Sequence, residues 1–241
     1  MSAQCNLCAG RGLVIRDNVA EPCPCVKQRA VRNRIKVSQI PPELSKYKFT
    51  DFAISYYSNS KIDSVKKTVY RESASTTLQA AKNFVQRYLE DPHTTGLLLT
   101  GPVGSGKTFL ACCIANNLLA RNKALLFAVV PDLLDQIKAT YDTNKSKAVT
   151  ESQLLDTARE VPLLILDDLG AHNYTDWTRN KIFSIINYRL NYLLPTVITS
   201  NINLEDLEEH LGERTTSRIL QMCRPYRLLV DVDIRMQKAR Q

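Results

Sequence analysis

The sequence predicts an α/β fold, with a parallel β-sheet flanked by helices and a small module ahead of it. Short strands alternate with helices from residue 96 onward, which is typical of parallel sheets. These strands are mainly apolar and do not alternate with polar residues, as expected of strands that are buried on both faces. Four cysteines near the N-terminus predict the separate module.

The composition is that of a soluble globular protein. Of the 241 residues, 44% are apolar and 23% are charged, a balance that excludes a largely disordered chain. No stretch reaches the roughly 18 consecutive apolar residues of a membrane-spanning helix. The N-terminal MSAQCNLCAG lacks the basic and apolar regions of a secretory signal. We therefore expect a cytoplasmic protein without a membrane partner.

The positive charge is concentrated in the first third of the chain. Residues 1–75 contain 13 Lys and Arg against six Asp and Glu, and so hold seven of the eight net positive charges. A dense run lies at Lys27, Arg29, Arg32, Arg34 and Lys36. Such a run either contacts phosphates or an acidic partner, or forms a solvated helix face.

The first four cysteines have the spacing of metal ligands. Cys5 and Cys8 form a C-x2-C pair, and after fourteen residues Cys23 and Cys25 form a C-x-C pair. Four thiolates in this pattern can surround one tetrahedral Zn²⁺, and the absence of His from the segment predicts a closed structural site. An iron–sulfur cluster and free thiols are the alternatives. The other three cysteines lie among apolar residues, which is typical of small core residues.

Three regions are predicted along the chain. The cysteine module and a basic stretch with helical spacing occupy residues 1–40 and end at Pro41-Pro42, because proline stops a helix. Residues 41–76, rich in Ser, Thr, Lys and Tyr, are expected to form an irregular connector. Residues 77–241 are expected to form one α/β domain, whose first helix begins near Leu78 and ends before Pro92.

The elements of this domain are predicted from apolar runs and helical spacing. The predicted strands are 96–100, 124–130, 163–168, 196–200 and 226–232. The predicted helices after the first one are 107–121, 131–141, 178–193 and 204–210. Side chains that bind ligands or take part in catalysis are expected at the carboxyl ends of the strands, because ligands of open α/β sheets bind at that edge.

The segment GPVGSGKT at 101–108 follows a predicted strand and opens a predicted helix. In this context the pattern predicts a phosphate-binding loop, whose backbone amides and helix N-terminus surround the phosphates of a nucleotide. Lys107 is expected to reach the β- and γ-phosphates and Thr108 to ligate Mg²⁺. The predicted nucleotide-binding residues are Gly101, Pro102, Val103, Gly104, Ser105, Gly106, Lys107, Thr108 and Phe109.

Two predicted strands end in polar side chains: two carboxylates at the end of one strand and an amide at the end of the next. Asp167 and Asp168 follow four apolar residues, and we expect Asp167 to hold Mg²⁺ and Asp168 to orient the attacking water. Thr199-Ser200-Asn201 ends the next strand, where Asn201 can help to position this water. The alternative for Ser200-Asn201 is a cap of the helix that begins at Leu204.

The segment GERTTSR at 212–218 places Arg214 and Arg218 four residues apart, on one face of a helix. Exposed arginines are most often surface charge. Because these two follow the strands that reach the chain's own phosphates, they can also complete the site of a neighbouring subunit.

The motifs IPPELSKYKFTDF, GPVGSGKT, LLILDDLG, VITSN, GERTTSR and DIR resemble, in order, those of the AAA+ ATPases of bacterial replicative-helicase loaders, the DnaC/DnaI group, and of the related IstB-like transposition helpers. The resemblance implies a Walker A motif at 101–108, a Walker B motif at Asp167 and Asp168, and sensor 1 at Asn201. It also implies hydrolysis of ATP with Mg²⁺, and self-association through the ATPase domain. It further implies that Arg218, with Arg214 beside it, is an arginine finger that reaches the ATP site of a neighbouring subunit. Sensor 2 would be Arg235, although the glycine that usually precedes this motif is absent.

Within this family, a cysteine module at the N-terminus resembles the loader of the Gram-positive type, whose N-terminal domain grips the helicase. The resemblance therefore implies a replicative helicase and single-stranded DNA as partners. By analogy, DNA contacts are expected at Tyr141, Thr175 and Trp177, with a packed surface aromatic as the alternative for Trp177. The expected function is ATP-dependent loading of the helicase. The alternatives are an IstB-like ATPase that assists a transposase and a small-molecule P-loop kinase, although a kinase would not need the cysteine module.

Overall fold

The computed structural model describes residues 8, 13–16, 19–23, 40–141, 150–170 and 174–239. A five-stranded parallel sheet with helices on both faces forms its centre, which confirms the predicted α/β fold. The strands are β1 (Leu13–Arg16), β2 (Val19–Pro22), β3 (Gly96–Thr100), β4 (Leu126–Val129), β5 (Leu164–Leu169), β6 (Thr196–Ser200) and β7 (Cys223–Arg227). The helices are α1 (Tyr70–Glu90), α2 (Lys107–Ala120), α3 (Val130–Ala139), α4 (Glu151–Glu160), α5 (Asp176–Asn191), α6 (Leu204–Leu211), α7 (Glu213–Met222) and α8 (Ile234–Ala239).

The order of the strands brings the predicted motifs together. The sheet runs β4-β5-β6-β3-β7, and every neighbouring pair is parallel. The strand before the phosphate loop, β3, is separated from the strand with the two aspartates, β5, only by β6. Because these strands run in the same direction, the residues at their carboxyl ends meet at one edge of the sheet.

Each face of the sheet covers its own apolar core. Leu97 and Leu99 of β3 pack with α1 and α2, whereas Leu98 packs with helices α3 to α7. This division follows from the two-residue period of a strand. All five residues of β3 are buried, in agreement with its mainly apolar sequence GLLLT.

The predicted irregular connector contains three short 3-10 helices, at Pro42–Lys46, Phe49–Asp51 and Ile54–Tyr56. The side-chain amide of Asn116 on α2 donates to the carbonyls of Leu44 (2.9 Å) and Tyr47 (3.0 Å), which holds the connector against that helix. Helix α1 begins at Tyr70 rather than near Leu78. Its first turns, in the sequence YRESASTT, lack the apolar spacing from which a helix is predicted.

Other differences lie further along the chain. The last strand is Cys223–Arg227 instead of 226–232, because the apolar run that follows leaves the sheet and crosses the phosphate loop. There the backbone N–H of Leu228 donates to the carbonyl of Thr100 at 2.8 Å. An edge strand tolerates Pro225, which lacks a backbone donor.

Helices α4 and α8 have no counterpart in the sequence prediction, although the Thr150–Gln153 capping box before α4 is a recognisable signal.

The N-terminal region contains a hairpin between the two cysteine pairs. Strands β1 and β2 are antiparallel, with Leu13 opposite Pro22. Cys8 and Cys23 are buried, whereas Cys5, Cys25 and the predicted basic helix before Pro41 lie outside the described residues.

Within the ranges that the structure describes, no helix has the length and apolarity needed to cross a membrane.

Candidate active site

The phosphate loop connects β3 to α2, as its sequence predicts. Gly104 has a φ of +72°, which favours glycine. A β-carbon at this position would lie 2.0 Å from the carboxyl group of Asp233, so a larger residue would also collide with the segment before α8. The loop is thus enclosed by the C-terminal segment as well as by the sheet.

Lys107 is buried at the start of α2 and points back into the loop. Its ammonium group donates to the carbonyls of Gly101 and Pro102, both at 2.8 Å, and lies 3.4 Å from the hydroxyl of Ser105. Burial lowers the pKa of this group to about 8, and the carboxylates of Asp168 and Asp167 oppose the shift. The lysine therefore lies beside the loop with its charge only partly compensated.

Thr108 and Asp167 meet directly, although 59 positions separate them in the chain. The Thr108 hydroxyl donates to the two carboxylate oxygens of Asp167 at 2.9 and 3.1 Å, and the Thr199 hydroxyl donates to Oδ1 at 2.7 Å. Burial raises the pKa of Asp167 to about 6; both hydrogen bonds oppose this shift, and the Asp168 charge adds to it. The three oxygen-bearing side chains form a compact cluster at the carboxyl end of the sheet.

A β-bulge turns both aspartates toward this edge. The register of β5 with β6 shifts between Leu166 and Leu169, where β5 contains one extra residue. Asp168 lies at the bulge with a φ of +59°, a conformation that Asp tolerates better than most residues. The side chains of Asp167 and Asp168, which would lie on opposite faces of a regular strand, can then contribute to the same site.

Asn201 contacts Asp168 and not the helix that follows. Its side-chain amide donates to Oδ1 of Asp168 at 3.1 Å. The N-cap of α6 is Asn203, whose side chain accepts from the backbone N–H of Asp206 at 2.8 Å. The capping alternative therefore applies to Asn203, while Asn201 is left beside the second carboxylate.

A pocket of about 440 Å³ opens beside these polar groups. Its polar end includes Lys107, Thr108, Asp168 and Asn201. Its apolar walls come mainly from the connector and from α2, with the aromatic residues Tyr47, Phe52, Tyr56, Tyr57 and Phe109. The rings of Tyr47 and Phe109 stack with a centroid distance of 4.5 Å. An apolar cavity that continues into a glycine-rich loop has the chemistry of a nucleotide site.

The predicted loop residues divide into two groups. Val103, Gly104, Gly106 and Phe109 line the pocket together with Lys107 and Thr108. Gly101, Pro102 and Ser105 instead support the loop from behind, through the contacts with Lys107 and a 2.7 Å hydrogen bond from the Tyr57 hydroxyl to the Ser105 carbonyl.

Arg235 lies at the mouth of the pocket, on the short helix α8. Its guanidinium group donates to both carboxylate oxygens of Asp233 at 3.3 and 3.2 Å. The backbone N–H of Ile234 donates to the carbonyl of Gly104 at 3.1 Å, so this segment is attached to the phosphate loop. The structure thus brings Arg235 to the pocket despite its poor sequence motif.

Arg214 and Arg218 lie on α7, away from the residues that line the pocket. The Nε of Arg218 donates to Oδ1 of Asn187 at 2.8 Å, and its guanidinium group lies 4.9 Å from the ring centre of Phe183. Arg214 is exposed. The structure therefore does not bring this pair into the chain's own site.

Tyr141 and Trp177 lie together on the surface, at the end of α3 and the start of α5. Their rings make an edge-on contact at 6.1 Å, and the ammonium groups of Lys138 and Lys181 lie 5.7 and 5.6 Å from the Trp177 ring. Trp177 also packs against the core, as the alternative interpretation holds. Thr175 accepts the backbone N–H of Thr178 and so caps α5.

Among the residues that the structure describes, no group of three or more His, Cys, Asp or Glu side chains is placed to hold a metal ion. Two of the four predicted cysteine ligands lie outside those residues. Zinc therefore stays a prediction.

The roles of three residues at the site are not predicted from the sequence: Thr199, Tyr57 and Asp233. Thr199 joins the two aspartates, because its hydroxyl also accepts the backbone N–H of Asp168 at 3.0 Å. Tyr57 supports the loop, and Asp233 contacts Arg235. A polar residue inside the strand TVITS is the only local signal, for Thr199; the other two contacts depend on the tertiary fold.

Comparison with known proteins identifies relatives of this chain. The sequence matches the family model of IstB-like ATP-binding proteins over residues 26–224. It is 30% identical to the uncharacterized protein YqaM of Bacillus subtilis (strain 168) over 232 residues, which are 92% of this chain and 66% of YqaM. It is 31% identical to the replicative helicase loader DnaI of the same organism over 163 residues, or 62% of this chain and 51% of DnaI. The chain therefore spans between half and two thirds of the length of these relatives.

A solved structure is also similar to this chain. The crystal structure of the DnaC helicase loader is similar with a TM-score of 0.62 and 27% identity, covering 79% of this chain and 100% of that chain.

Proposed function

Because the chain belongs to the family of IstB-like ATP-binding proteins, we propose that it is an ATPase that loads a replicative DNA helicase onto single-stranded DNA. One observation carries the ATPase part of the proposal. Five polar side chains from three separate motifs meet at one edge of the sheet, next to an aromatic pocket: Lys107, Thr108, Asp167, Asp168 and Asn201. The similarity to DnaI and DnaC, which are named as helicase loaders, supports the loading part.

The base of ATP lies in the aromatic pocket and its phosphates follow the loop. Lys107 exchanges its contacts with the carbonyls of Gly101 and Pro102 for contacts with the β- and γ-phosphates. The charged form of Lys107 gains from this exchange, because phosphate oxygens compensate the buried charge better than two carbonyls do.

Thr108 and Asp167 fit a magnesium ion. Both present oxygen ligands, the kind that Mg²⁺ prefers, and they already lie within 2.9 Å of each other. The ion neutralises charge on the phosphates when it is bound. Thr199 holds the Asp167 carboxylate in place by its hydrogen bond.

Asp168 orients and polarises the attacking water, and Asn201 fixes the position of the Asp168 carboxylate. Arg235, at the mouth of the pocket, contacts the phosphates from the side of α8. Arg218, with Arg214 beside it, completes the site of a neighbouring subunit, because these two do not line the pocket of their own chain.

The aromatic pair Tyr141 and Trp177 contacts single-stranded DNA. The exposed Tyr141 ring offers a stacking surface for bases. Lys138 and Lys181 lie beside the Trp177 ring, where they contact Asp135 and Glu151, and would exchange these carboxylates for phosphates of the strand. Thr175 adds a hydroxyl at the start of the same helix.

The N-terminal residues 1–40 form a zinc module that contacts the helicase. Cys8 and Cys23 are buried at either side of a hairpin, which fits two ligands of one structural site. Cys5 and Cys25 supply the other two. Elemental analysis should find about one zinc per chain, and the Cys5→Ser and Cys23→Ser variants should lose it. A visible charge-transfer absorption with iron in the sample would instead identify an iron–sulfur cluster.

The loading activity is tested with the purified host helicase and a circular single-stranded DNA. ATP-dependent transfer of the helicase to the circle by this protein supports the proposal. Capture of the transposase encoded beside an IS21-like element, with no capture of the helicase, would instead support a transposition ATPase.

The subunit arrangement is tested by mixing two variants. Lys107→Ala and Arg218→Ala should each be inactive alone, and their mixture should recover part of the ATPase activity. Recovery requires an interface that pairs an intact loop with an intact arginine. Normal hydrolysis by Arg218→Ala alone on single-stranded DNA would make this arginine ordinary surface charge.

A further inference from the structure

A second pocket, of about 350 Å³, lies between α1 and the edge strand β7. It shares no lining residue with the nucleotide pocket. Its walls are formed by Ala80, Asn83, Gln86, Arg87, Arg224 and Tyr226. Two of these six residues are cationic and none is acidic, so the pocket is positively charged.

The secondary structure places these side chains on facing surfaces. Asn83 and Arg87 are four residues apart on α1 and therefore lie on one face of the helix. Arg224 and Tyr226 are two residues apart on β7 and point to the same side of the sheet. Within the described ranges, β7 pairs with β3 alone, so no described strand covers its outer edge beside the helix.

Some arginines among the described residues pair with a carboxylate, whereas the two arginines of this pocket do not. Arg227, on the same strand, pairs with the buried Asp63 at 2.6 Å, and Arg159 pairs with Asp156 at 3.0 Å. Over the described part of the chain, neither Arg87 nor Arg224 makes an ion pair. The Nε atom of Arg87 is buried and has no hydrogen-bond partner among those residues. A buried donor of this kind costs free energy unless a ligand accepts its hydrogen.

The remaining lining groups also favour an anion. The Oδ1 of Asn83 accepts a hydrogen bond from Gln79 at 2.8 Å, which leaves its NH₂ group as a donor. The ammonium group of Lys66 lies 5.8 Å from the centre of the Tyr226 ring and adds a third positive charge nearby. Paired guanidinium groups with amide donors are suited to the several oxygens of a phosphate.

We propose that this pocket binds a phosphate group, carried either by a nucleic-acid strand or by a free nucleotide. The ligand is held by Arg87 and Arg224, with Asn83 as an additional donor. The site is separate from the phosphate loop, and the proposal does not depend on ATP hydrolysis or on helicase loading.

The test compares two double variants of the full-length protein. Arg87→Gln with Arg224→Gln removes both charges from the pocket and keeps two of the three methylene groups of each side chain. Lys82→Gln with Arg121→Gln removes two charges from exposed positions, one of them on the same helix. Each protein also carries Lys107→Ala, so that the phosphate loop is impaired in all samples. A fluorescein-labelled dT20 strand and inorganic pyrophosphate are the two probes.

We expect the pocket variant to bind one of the probes at least about fivefold more weakly than the control variant. For the strand, the dependence of log K on log salt should become shallower by about one unit, because contacts with phosphates are lost. Arg87→Lys with Arg224→Lys should recover only part of the affinity, since lysine lacks the planar fork. Equal melting temperatures of the two variants check that the fold is kept.

A loss with dT20 identifies a nucleic-acid strand as the source of the phosphate, whereas a loss confined to pyrophosphate identifies a free ligand. If the pocket variant binds both probes as the control does, the proposal is wrong. The two arginines would then be available to an acidic protein segment instead.

Discussion

Among the described residues, two cations are buried, Arg189 and Lys107, and their surroundings differ. Arg189 on α5 is fully buried and donates five hydrogen bonds, to the carbonyls of residues 158, 159, 161 and 195 and to the hydroxyl of Thr196. Lys107 is also buried, but its ammonium group has two carbonyls and one distant hydroxyl, and it borders an open pocket. Burial lowers the pKa of both cations, to about 9 for Arg189 and about 8 for Lys107.

The difference separates a group that stabilises the fold from one that is placed for a ligand. Arg189 satisfies carbonyls at the C-terminal end of α4 and joins that helix to α5 and to the start of β6. Arg189 is fully buried and lines neither pocket, so no ligand can reach its donors. Lys107 keeps a donor set that phosphate oxygens would satisfy better than the loop carbonyls do. Substitution should therefore unfold the protein in the first case and remove its function in the second.

The largest effect is expected for Arg189→Met. Methionine fills a similar volume but leaves several buried carbonyls without a donor, each of which costs about 1–3 kcal/mol. We expect the free energy of unfolding in urea to fall by at least about 3 kcal/mol, or the protein to be insoluble. Lys82→Met, which replaces an exposed cation on α1, is the control. A variant with wild-type stability would show that the five hydrogen bonds contribute nothing net.

Asp168→Asn should affect hydrolysis and leave the fold unchanged. Asparagine tolerates the positive φ of this residue and can still accept the hydrogen bond from Asn201. It removes the charge that polarises the water, so we expect turnover to fall on the order of 10²-fold while ATP still binds. Single-turnover hydrolysis and the thermal shift with ATP measure the two properties separately. Wild-type turnover would exclude Asp168 from the reaction.

Asp167→Asn tests how much the buried charge of Asp167 lowers the free energy of unfolding of the metal-free protein. The pKa of Asp167 rises from 3.8 to about 6 on folding, so the protonated form favours the folded state. This contribution is complete below pH 3.8 and is lost as the pH rises through about 6. We expect the variant to be more stable than the wild type at pH 7 by about 3 kcal/mol, and to lose this advantage near pH 4.

Urea unfolding in EDTA at both pH values measures this difference between the two proteins. A difference that does not change with pH would contradict the raised pKa.

The residues of the site could be predicted from the sequence better than the contacts that hold them in position. Strand ends and the glycine-rich loop are local patterns, so Lys107, Thr108, Asp167 and Asn201 could be identified from their order in the chain. The β-bulge at Asp168 could not, because it depends on the register between β5 and β6. Thr199 acts through a hydroxyl within an otherwise apolar strand, where its partners become visible only in the fold.

Arg189 shows a second limit of sequence reasoning. A charged residue on a predicted helix is normally assigned to the exposed face. Its burial results from the packing of α5 against the end of α4, which itself was not predicted. The connector is a similar case, since its aromatic residues line the nucleotide pocket although the sequence there gives no regular pattern.

The central claim is that Lys107 is placed for a ligand and not for stability, and thermal unfolding of Lys107→Met tests it most directly. Without nucleotide the variant should melt at or above the wild-type temperature, because it no longer buries a poorly compensated charge. Saturating ATP with Mg²⁺ should raise the melting temperature of the wild type and leave that of Lys107→Met unchanged. A variant that melts several degrees lower without nucleotide, or that is stabilised by ATP as strongly as the wild type, would contradict the claim.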